Sequence, residues 1–255
     1  MPSIKDEAVV LRQWEFSETS QTAWLLSRDS GLLRVLAKGS RRPHAAFSGG
    51  LDALTRGRLV AIVKPSAELA TLTEWDLQEV FWAPRRVLAA HYAGLYMADI
   101  VSQLITDHDP HPRIYDALVE GLRALDDGAA AIGAALRVQW ATLVESGYAP
   151  ALDRDAQTGR PLDKARTYGF DPGAGGLVAD PGAGWPGVWR VRSETVERLR
   201  RLAESDHADA QVSAETDERA CRMLAAWIAA VAGAEPRSQS AFLGEITPAR
   251  APKRG

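Results

Sequence analysis

The hydrophobic pattern of the chain changes its period at Ala83, and this change limits the folds that the sequence can adopt. Between Glu7 and Trp75, apolar residues alternate or form short runs that turn residues separate, as in EAVVLRQW, TAWLLS, LLRVLA, RLVAIVK and ELATLTEW. Such runs indicate β-strands. From Pro84 onward, apolar residues recur about every 3.6 residues, as in amphipathic helices. The sequence therefore predicts an α+β protein whose strands precede its helices.

The strand-like part has the size of a small barrel. Five strands in about 75 residues fit a five-stranded Greek-key barrel such as an OB-fold. A small β-sandwich is the less favoured alternative for the same pattern of strands. Asp29, Ser30 and Gly31 are expected to form the turn of a hairpin. We assign residues 1–83 to this barrel domain.

The remaining chain is predicted to form an α-helical domain over residues 84–247. Pro84 suits the first position of a helix, which is expected to run to Ile105 without a break. The region at about 148–191 is rich in Gly, Pro and Asp and has no sustained period, so we expect an irregular insertion there. Residues 248–255 are polar and proline-rich and are predicted to form a flexible tail.

Positive charge is concentrated in the predicted barrel. The whole chain has a net charge of −3, but the segment from Arg28 to Lys64 has eight basic and two acidic residues, a net charge of +6. Its centre, AKGSRRPHAAFSGG, is too rich in Gly, Ser and Pro for regular structure. The loops and strand face of OB-folds commonly bind oligonucleotides, which favours a nucleic-acid ligand over a merely solvated connection. The candidate phosphate contacts are Arg34, Lys38, Arg41, Arg42, Arg56 and Arg58.

Two further features of this region bear on a nucleic-acid ligand. Gly39, Gly49 and Gly50 would let a phosphate approach the backbone closely. Phe47 or Trp24 could stack on a base, although a place in the core suits both side chains better.

No motif in the sequence requires an enzyme. The stretch GAGWPG, residues 182–187, has the letters of a dinucleotide fingerprint, but Pro186 and the VWRVR that follows predict a turn and a strand where that motif needs a helix. The run DHDPH, Asp107–His111, could hold a metal in a hydrolase or nuclease. A helix connection in which Asp109 caps the next helix is the better interpretation. We expect no catalytic residue, metal or cofactor.

The composition indicates a cytoplasmic protein. Cys221 is the only cysteine, which excludes an intramolecular disulfide, and its alanine-rich surroundings predict a small buried side chain. The sequence lacks a recognisable export signal and an apolar run of about 18 residues that could span a bilayer. We therefore expect no membrane partner.

The N-terminal part of the sequence, from Glu7 to about Leu72, resembles the bacterial RecO family of recombination mediators. The likeness rests on AVVLR, Ser17 and Glu18, the Gly31 hairpin, AKGSRR and the triplet Ala67, Glu68 and Leu69, and continues in SGYAP, LDR and AEPRSQSAFL. The resemblance implies an OB-fold, a helical domain and no catalytic centre. It further implies a DNA repair and recombination mediator in the cytoplasm, at the nucleoid, that binds and anneals single-stranded DNA. The implied partners are RecR, the single-strand binding protein and, indirectly, the filament of RecA.

The chain departs from this family in the insertion. Many relatives have a zinc knuckle built from two C-x-x-C pairs, and the corresponding positions here are Asp155, Thr158, Ala179 and Gly182. These residues cannot complete a tetrahedral zinc site. We therefore expect a zinc-knuckle-like insertion without cysteines that holds by packing alone or is loose.

The resemblance also suggests where a protein partner binds. The acidic tail of a single-strand binding protein has apolar terminal residues and would need an apolar groove with basic edges, which helical bodies offer. The arginines considered for this role are Arg85, Arg86, Arg198, Arg200, Arg201, Arg219 and Arg222. A pure protein-interaction module, whose basic loop meets an acidic partner, is the alternative to a DNA-binding protein.

Overall fold

The computed structural model describes residues 3–43, 46–48, 50–64, 67–180, 182, 185–204 and 213–246. Its N-terminal part is built from five long strands and one short strand. They are β1 (Ser3–Ser17), β2 (Ser20–Ser27), β3 (Gly31–Ala37), the two-residue β4 (Phe47–Ser48), β5 (Thr55–Ile62) and β6 (Ala70–Val80).

The five long strands close into a barrel. The strand order is β3-β2-β1-β5-β6, and β3 pairs in parallel with β6 through Val35 and Ala70, which joins the two ends of the sheet. The other pairs among these five strands are antiparallel. This is the five-stranded barrel that the sequence predicts, and the protein is mixed α+β with the barrel first.

The two faces of the barrel strands have different partners. Leu25, Leu33 and Trp75 are among the buried residues of the barrel interior. On the other face, Val9 and Leu26 pack with the helical body. Full burial of side chains of this size stabilises a protein by about 1.5–3 kcal/mol each, so both faces contribute to folding. The register of β1 to β3 is therefore fixed by the barrel core on one side and by the helices on the other.

The helical body begins with a helix that is broken at its first turn. The first helices are α1 (Ala83–Arg86), α2 (Leu88–Leu104), α3 (Pro112–Asp126) and α4 (Ala131–Glu145). The prediction of one continuous helix from Pro84 to Ile105 is wrong, because Val87 is extended, with φ −122° and ψ 121°. The backbone N–H groups of Trp82 and Ala83 donate to the carboxylate of Asp126 in α3, which attaches the start of α1 to α3.

The insertion is more regular than predicted. It contains an antiparallel sheet of β7 (Thr167–Asp171), β8 (Gly176–Val178) and β9 (Trp189–Arg192), in the order β8-β7-β9. Phe170 and Leu177 are fully buried and join the core of the helical body. Residues 186–187 form a turn and β9 follows, so the prediction of a turn and a strand from Pro186 onward is confirmed, while residues 183–184 of the glycine-rich stretch lie outside the described residues.

The described chain ends with α5 (Ser193–Glu204), α6 (Ala214–Ala232) and α7 (Gln239–Glu245). Asp99 of α2 joins this end to the barrel, because it accepts hydrogen bonds from Arg12 in β1 and from the backbone and hydroxyl of Ser238. None of the helices in the described ranges is long and apolar enough to cross a membrane. The predicted tail, residues 248–255, lies outside the described residues.

Candidate nucleic-acid interface

The basic loop, which we define as residues Lys38–Pro43, is a turn fixed to the barrel. The backbone N–H of Gly39 donates to Ser20 Oγ at 3.1 Å, and the backbone N–H of Arg41 donates to the carbonyl of Thr19 at 3.1 Å. Gly39 has a φ of 68°, which glycine adopts without strain. The loop after β3 is thus attached to the turn between β1 and β2. Gly49 lies outside the described residues.

The basic loop presents positive charge to solvent. Lys38 and Arg42 have exposed side chains and form no ion pair with any residue in the described ranges. Arg41 Nη1 lies 2.8 Å from Glu15 Oε1, but these side chains are 40% and 76% exposed. A surface ion pair of this kind contributes at most about 1 kcal/mol, so a phosphate can replace Glu15 at little cost. The loop therefore offers up to three cations to an anionic ligand.

Arg34 is paired within the protein. Its Nε lies 3.0 Å from Asp107 Oδ2, in the connection between α2 and α3. Its guanidinium also lies over the ring of Trp24, 4.9 Å from the ring centroid. The cation is therefore held beside an aromatic ring, and part of its charge is compensated.

Arg56 and Arg58 lie far from the basic loop. Along β1, Arg56 is opposite Val9 and Arg58 is opposite Glu7, whereas the basic loop contacts the turn that follows Ser17. Eight residues of strand separate Val9 from Ser17, a distance of about 27 Å at 3.4 Å per residue. The structure therefore groups Lys38, Arg41 and Arg42 and does not bring Arg56 and Arg58 to them. A phosphate contact at these two residues stays a prediction.

An ion-pair network occupies Arg56 at the boundary between barrel and helices. Arg56 Nε lies 2.8 Å from Glu79 Oε2 and its Nη1 lies 2.9 Å from Glu7, while Arg123 of α3 donates two hydrogen bonds to Glu79. The hydrogen bonds from Arg123 hold the pKa of Glu79 below its ordinary value, and Arg56 adds to this effect against the opposing influence of burial. Arg58 contacts Glu7 at 3.7 Å. This network joins the two parts of the chain.

Exposed aromatic side chains lie near the end of β1, the strand that precedes the turn to which the basic loop is attached. Trp14 and Phe16 of β1 are 38% and 62% exposed. The ring of Trp14 contacts Trp24 edge to face, with centroids 5.3 Å apart. Of the two aromatics considered from sequence, Trp24 is half-buried and Phe47 packs against the barrel core. Sequence reasoning missed Trp14 and Phe16, although the alternation of aromatic and polar residues in QWEF could have indicated them.

The run DHDPH serves as a connection that docks on β3. The backbone N–H of His108 donates to the carbonyl of Leu32 at 3.0 Å, and Asp107 forms a parallel bridge with the same residue. The prediction that Asp109 caps α3 is wrong, because His111 precedes α3 without a side-chain cap and Asp109 Oδ2 instead lies 3.2 Å from His111 Nε2. The described residues contain no group of three or more His, Cys, Asp or Glu that could hold a metal. Nothing in this geometry favours the hydrolase or nuclease hypothesis.

Hydrogen bonds connect the four positions that the family resemblance aligns with a zinc knuckle. Asp155 Oδ1 accepts from the backbone N–H and the hydroxyl of Thr158, at 2.8 Å and 2.9 Å, and Oδ2 accepts from the backbone N–H of Ala179 at 3.0 Å. The N–H of Ala179, followed by the N–H of Thr158, lowers the pKa of Asp155. These residues do not fit a zinc ion, since Ala179 and Gly182 have no ligand atom in a side chain. The expectation of packing alone or a loose knuckle is wrong, because a carboxylate links the two halves.

Cys221 is a buried structural residue, as predicted. Burial raises the pKa of its thiol to about 12, so the thiolate that acts as a nucleophile is absent at neutral pH. Its carbonyl accepts a hydrogen bond from Gln139 Nε2 at 3.1 Å, and the same amide donates to Tyr96 Oη at 2.7 Å. Cys221 therefore lies in a packed interface between helices and has a structural role.

Arg137 of α4 is half-buried and forms no hydrogen bond or ion pair in the described part of the chain. Burial lowers its pKa below the ordinary value and the neighbouring Arg198 adds to this effect, while the carboxylates of Asp217 and Glu120 act in the opposite direction. Arg198 is itself buried and lies 2.6 Å from Asp217. The guanidinium of Arg137 extends toward Gly133, one turn nearer the start of α4. Trp140, three residues further on, lines a groove with a volume of about 370 Å³ that also contains Arg154, Arg200, Asp153 and Glu204. The groove thus contains charges of both signs, and Arg137 lies on α4 outside its lining.

Most arginines that the sequence suggested for the helical body are engaged by neighbours. Five of them donate side-chain hydrogen bonds to carbonyl or carboxylate oxygens of the protein: Arg85, Arg198, Arg200, Arg219 and Arg222. Arg86 lies over the ring of Trp82, 5.0 Å from its centroid. Sequence reasoning did not single out Arg137, because its lack of a partner becomes visible only when α3, α5 and α6 are placed around α4.

Two family models match almost the whole chain. The model described as Recombination protein O N terminal matches residues 1–81, and the model described as Recombination protein O C terminal matches residues 85–240. The first covers the barrel with its candidate interface, and the second covers most of the helical body.

Individual relatives agree with this match. The chain is 32% identical over 213 residues to the DNA repair protein RecO of Rhodopirellula baltica, which covers 82% of this chain and 79% of that protein. It is 29% identical over 245 residues to the DNA repair protein RecO of Azoarcus sp., which covers 95% and 96% of the two chains. The DNA repair protein RecO of Salinibacter ruber is 33% identical over 154 residues, covering 59% and 58%.

Proposed function

Because the chain belongs to the RecO family of DNA repair proteins, we propose that it is a recombination mediator that binds single-stranded DNA through the basic loop. The observation that carries this proposal is the pair of exposed and unpaired cations, Lys38 and Arg42, on a loop that hydrogen bonds fix to the barrel. A fixed loop loses little conformational entropy when it binds, so little of the favourable interaction energy with the phosphates is offset by ordering the loop.

Annealing and loading follow from the neutralisation of phosphates. Two complementary strands repel each other, and cations that bind phosphates release counterions and reduce this repulsion. The same contacts would hold a strand while a recombinase is loaded onto it. No step of this mechanism breaks a covalent bond, so we propose that the protein is not an enzyme.

The proposed partner of the helical body is the acidic tail of a single-strand binding protein. Arg137 supports this proposal, because it is half-buried, forms no ion pair in the described residues and can therefore donate hydrogen bonds to an incoming carboxylate. The groove beside Trp140 would receive the apolar residues of the tail. We further propose that RecR is a partner, that the RecA filament is reached indirectly and that the protein works at the nucleoid in the cytoplasm.

Strand annealing tests this proposal. Removal of two charges from the basic loop, by Lys38→Ala with Arg42→Ala, should slow the annealing of bare complementary strands. The matched control is Arg160→Ala with Lys164→Ala, which removes the same charge from exposed positions of the insertion. Equal annealing by both double variants would contradict a specific role for the loop.

A second comparison tests the proposed contact with the acidic tail of the single-strand binding protein. Strands coated with intact single-strand binding protein should anneal faster than strands coated with a tailless version, while annealing of bare strands serves as the common reference. Equal rates on the two coated substrates would contradict the proposed contact with the tail.

A further inference from the structure

We infer that Trp14 and Phe16 form a stacking platform for the bases of single-stranded DNA, beside the basic loop that binds its phosphates. This inference rests on the proposed function and adds the residues that distinguish a single strand from a duplex. It concerns exposed side chains of β1 that the structure leaves uncovered.

The register of the barrel shows why this face is open. Arg12 lies opposite Trp24, and Trp24 lies opposite Arg34, so these residues form one row across β1, β2 and β3. Nearer the start of β1, Val9 and Leu11 are buried with the helical body. The helices therefore pack against the middle of this strand and leave its last residues, from Trp14 to Ser17, exposed.

The neighbours of the platform hold it in place. Trp24 contacts the ring of Trp14 on one side, with centroids 5.3 Å apart, and the guanidinium of Arg34 on another. Arg34 is in turn fixed by Asp107 at 3.0 Å. A chain of contacts from the helical body thus orients Trp14 before any ligand arrives, which reduces the entropic cost of binding.

The position of the platform favours a nucleic acid as its occupant. Glu15, which lies between Trp14 and Phe16 in the chain, contacts Arg41 of the basic loop at 2.8 Å. Trp14 lies opposite Thr22, on the face of Trp24, whereas Glu15 lies opposite Gln21, on the face of the barrel interior, because neighbouring side chains of a strand point to opposite faces. The aromatic surface and the basic loop therefore lie on two faces of the same end of β1. Proteins that bind single strands combine these two elements, stacking bases on aromatic rings and neutralising phosphates with cations. A duplex hides the faces of its bases, so the platform selects single strands.

The direct test compares two oligomers with the same phosphates. One is oligothymidylate, and the other has abasic sites throughout. The wild-type protein should bind oligothymidylate more tightly, by roughly tenfold for each base that stacks on an aromatic side chain. Trp14→Ala with Phe16→Ala should bind the two oligomers equally, and Trp14→Phe should keep most of the preference. Trp185→Ala removes another exposed aromatic, 54% exposed, and should bind as the wild type does.

The outcomes separate this inference from the proposed function. If the wild-type protein prefers oligothymidylate and the double variant keeps the same preference, the platform does not bind bases and the basic loop still binds DNA. If the wild-type protein binds both oligomers equally, no base is stacked and the inference is wrong. If it binds neither oligomer, both proposals fail. Phe16→Ala alone, at the more exposed position, provides the same test should the double variant not fold.

Discussion

Asp155 accepts a hydrogen bond from the backbone N–H of Ala179 at 3.0 Å, across 24 residues of chain. The same carboxylate accepts two hydrogen bonds from Thr158. One side chain thus joins the two turns of the insertion, at positions that the family resemblance aligns with a zinc knuckle. Charge-assisted hydrogen bonds of this kind are stronger than neutral ones, so a single carboxylate can hold a small loop pair.

Asp155→Ala should loosen the insertion without changing the barrel. Without the carboxylate, the amides of Thr158 and Ala179 lose their acceptor and should exchange with solvent faster in a hydrogen-exchange experiment. Asp163→Ala, an exposed carboxylate in the same insertion, is the control. Protection that is unchanged in Asp155→Ala, or stoichiometric zinc in the purified protein, would contradict this description of the insertion.

Glu79→Gln should weaken the junction between the barrel and the helical body. The variant loses the charge that Arg123 and Arg56 contact, and we expect a loss of about 1–2 kcal/mol in the free energy of unfolding at pH 7. Because the pKa of Glu79 is lowered in the folded state, its contribution is fully present above about pH 4.5 and is lost as the pH falls through the folded value.

Denaturant unfolding of the wild type and Glu79→Gln at several pH values tests this expectation. The difference between the two proteins should shrink below about pH 4.5. Glu74→Gln, an exposed position of the same strand, should differ little from the wild type throughout. A pH-independent difference would contradict the assignment to the ionised carboxylate.

Arg137→Met should abolish binding of the acidic tail and leave the fold intact. Methionine fills a similar volume and removes a half-buried charge that forms no ion pair in the described residues, so the melting temperature should change little. Calorimetric titration with a tail peptide measures the first effect, and thermal unfolding measures the second. Arg113→Met, at a side chain that is 82% exposed, is the control. An unchanged dissociation constant would place the tail elsewhere.

The barrel could be predicted from the sequence because each strand and each turn is indicated by residues that are close together in the chain. Strands such as β2 and β3 are short runs of mostly apolar residues, and the turn at Gly31 separates them within a few residues. The basic loop could be found for the same reason, since Lys38, Arg41 and Arg42 are close in the chain and close in space.

The electrostatic pattern could not be predicted, because ion pairs form between distant parts of the chain. The net charge of +6 counted between Arg28 and Lys64 is largely compensated in the folded protein, where Arg28 pairs with Asp116 and Arg34 with Asp107. A count along the sequence cannot include acids that the fold brings in from α3 and from the connection before it. The number of cations left for a ligand is therefore smaller than the sequence suggested.

The salt dependence of single-stranded DNA binding tests the account most directly. Three cations on the basic loop should give a slope of about −2 for log K against log salt, since each neutralised phosphate of a single strand contributes roughly −0.7. Replacement of Lys38, Arg41 and Arg42 with Ala should bring the slope close to zero and weaken binding to all sequences alike. A wild-type slope near zero, or a folded triple variant with an undiminished slope, would contradict the claim that this loop binds the phosphates.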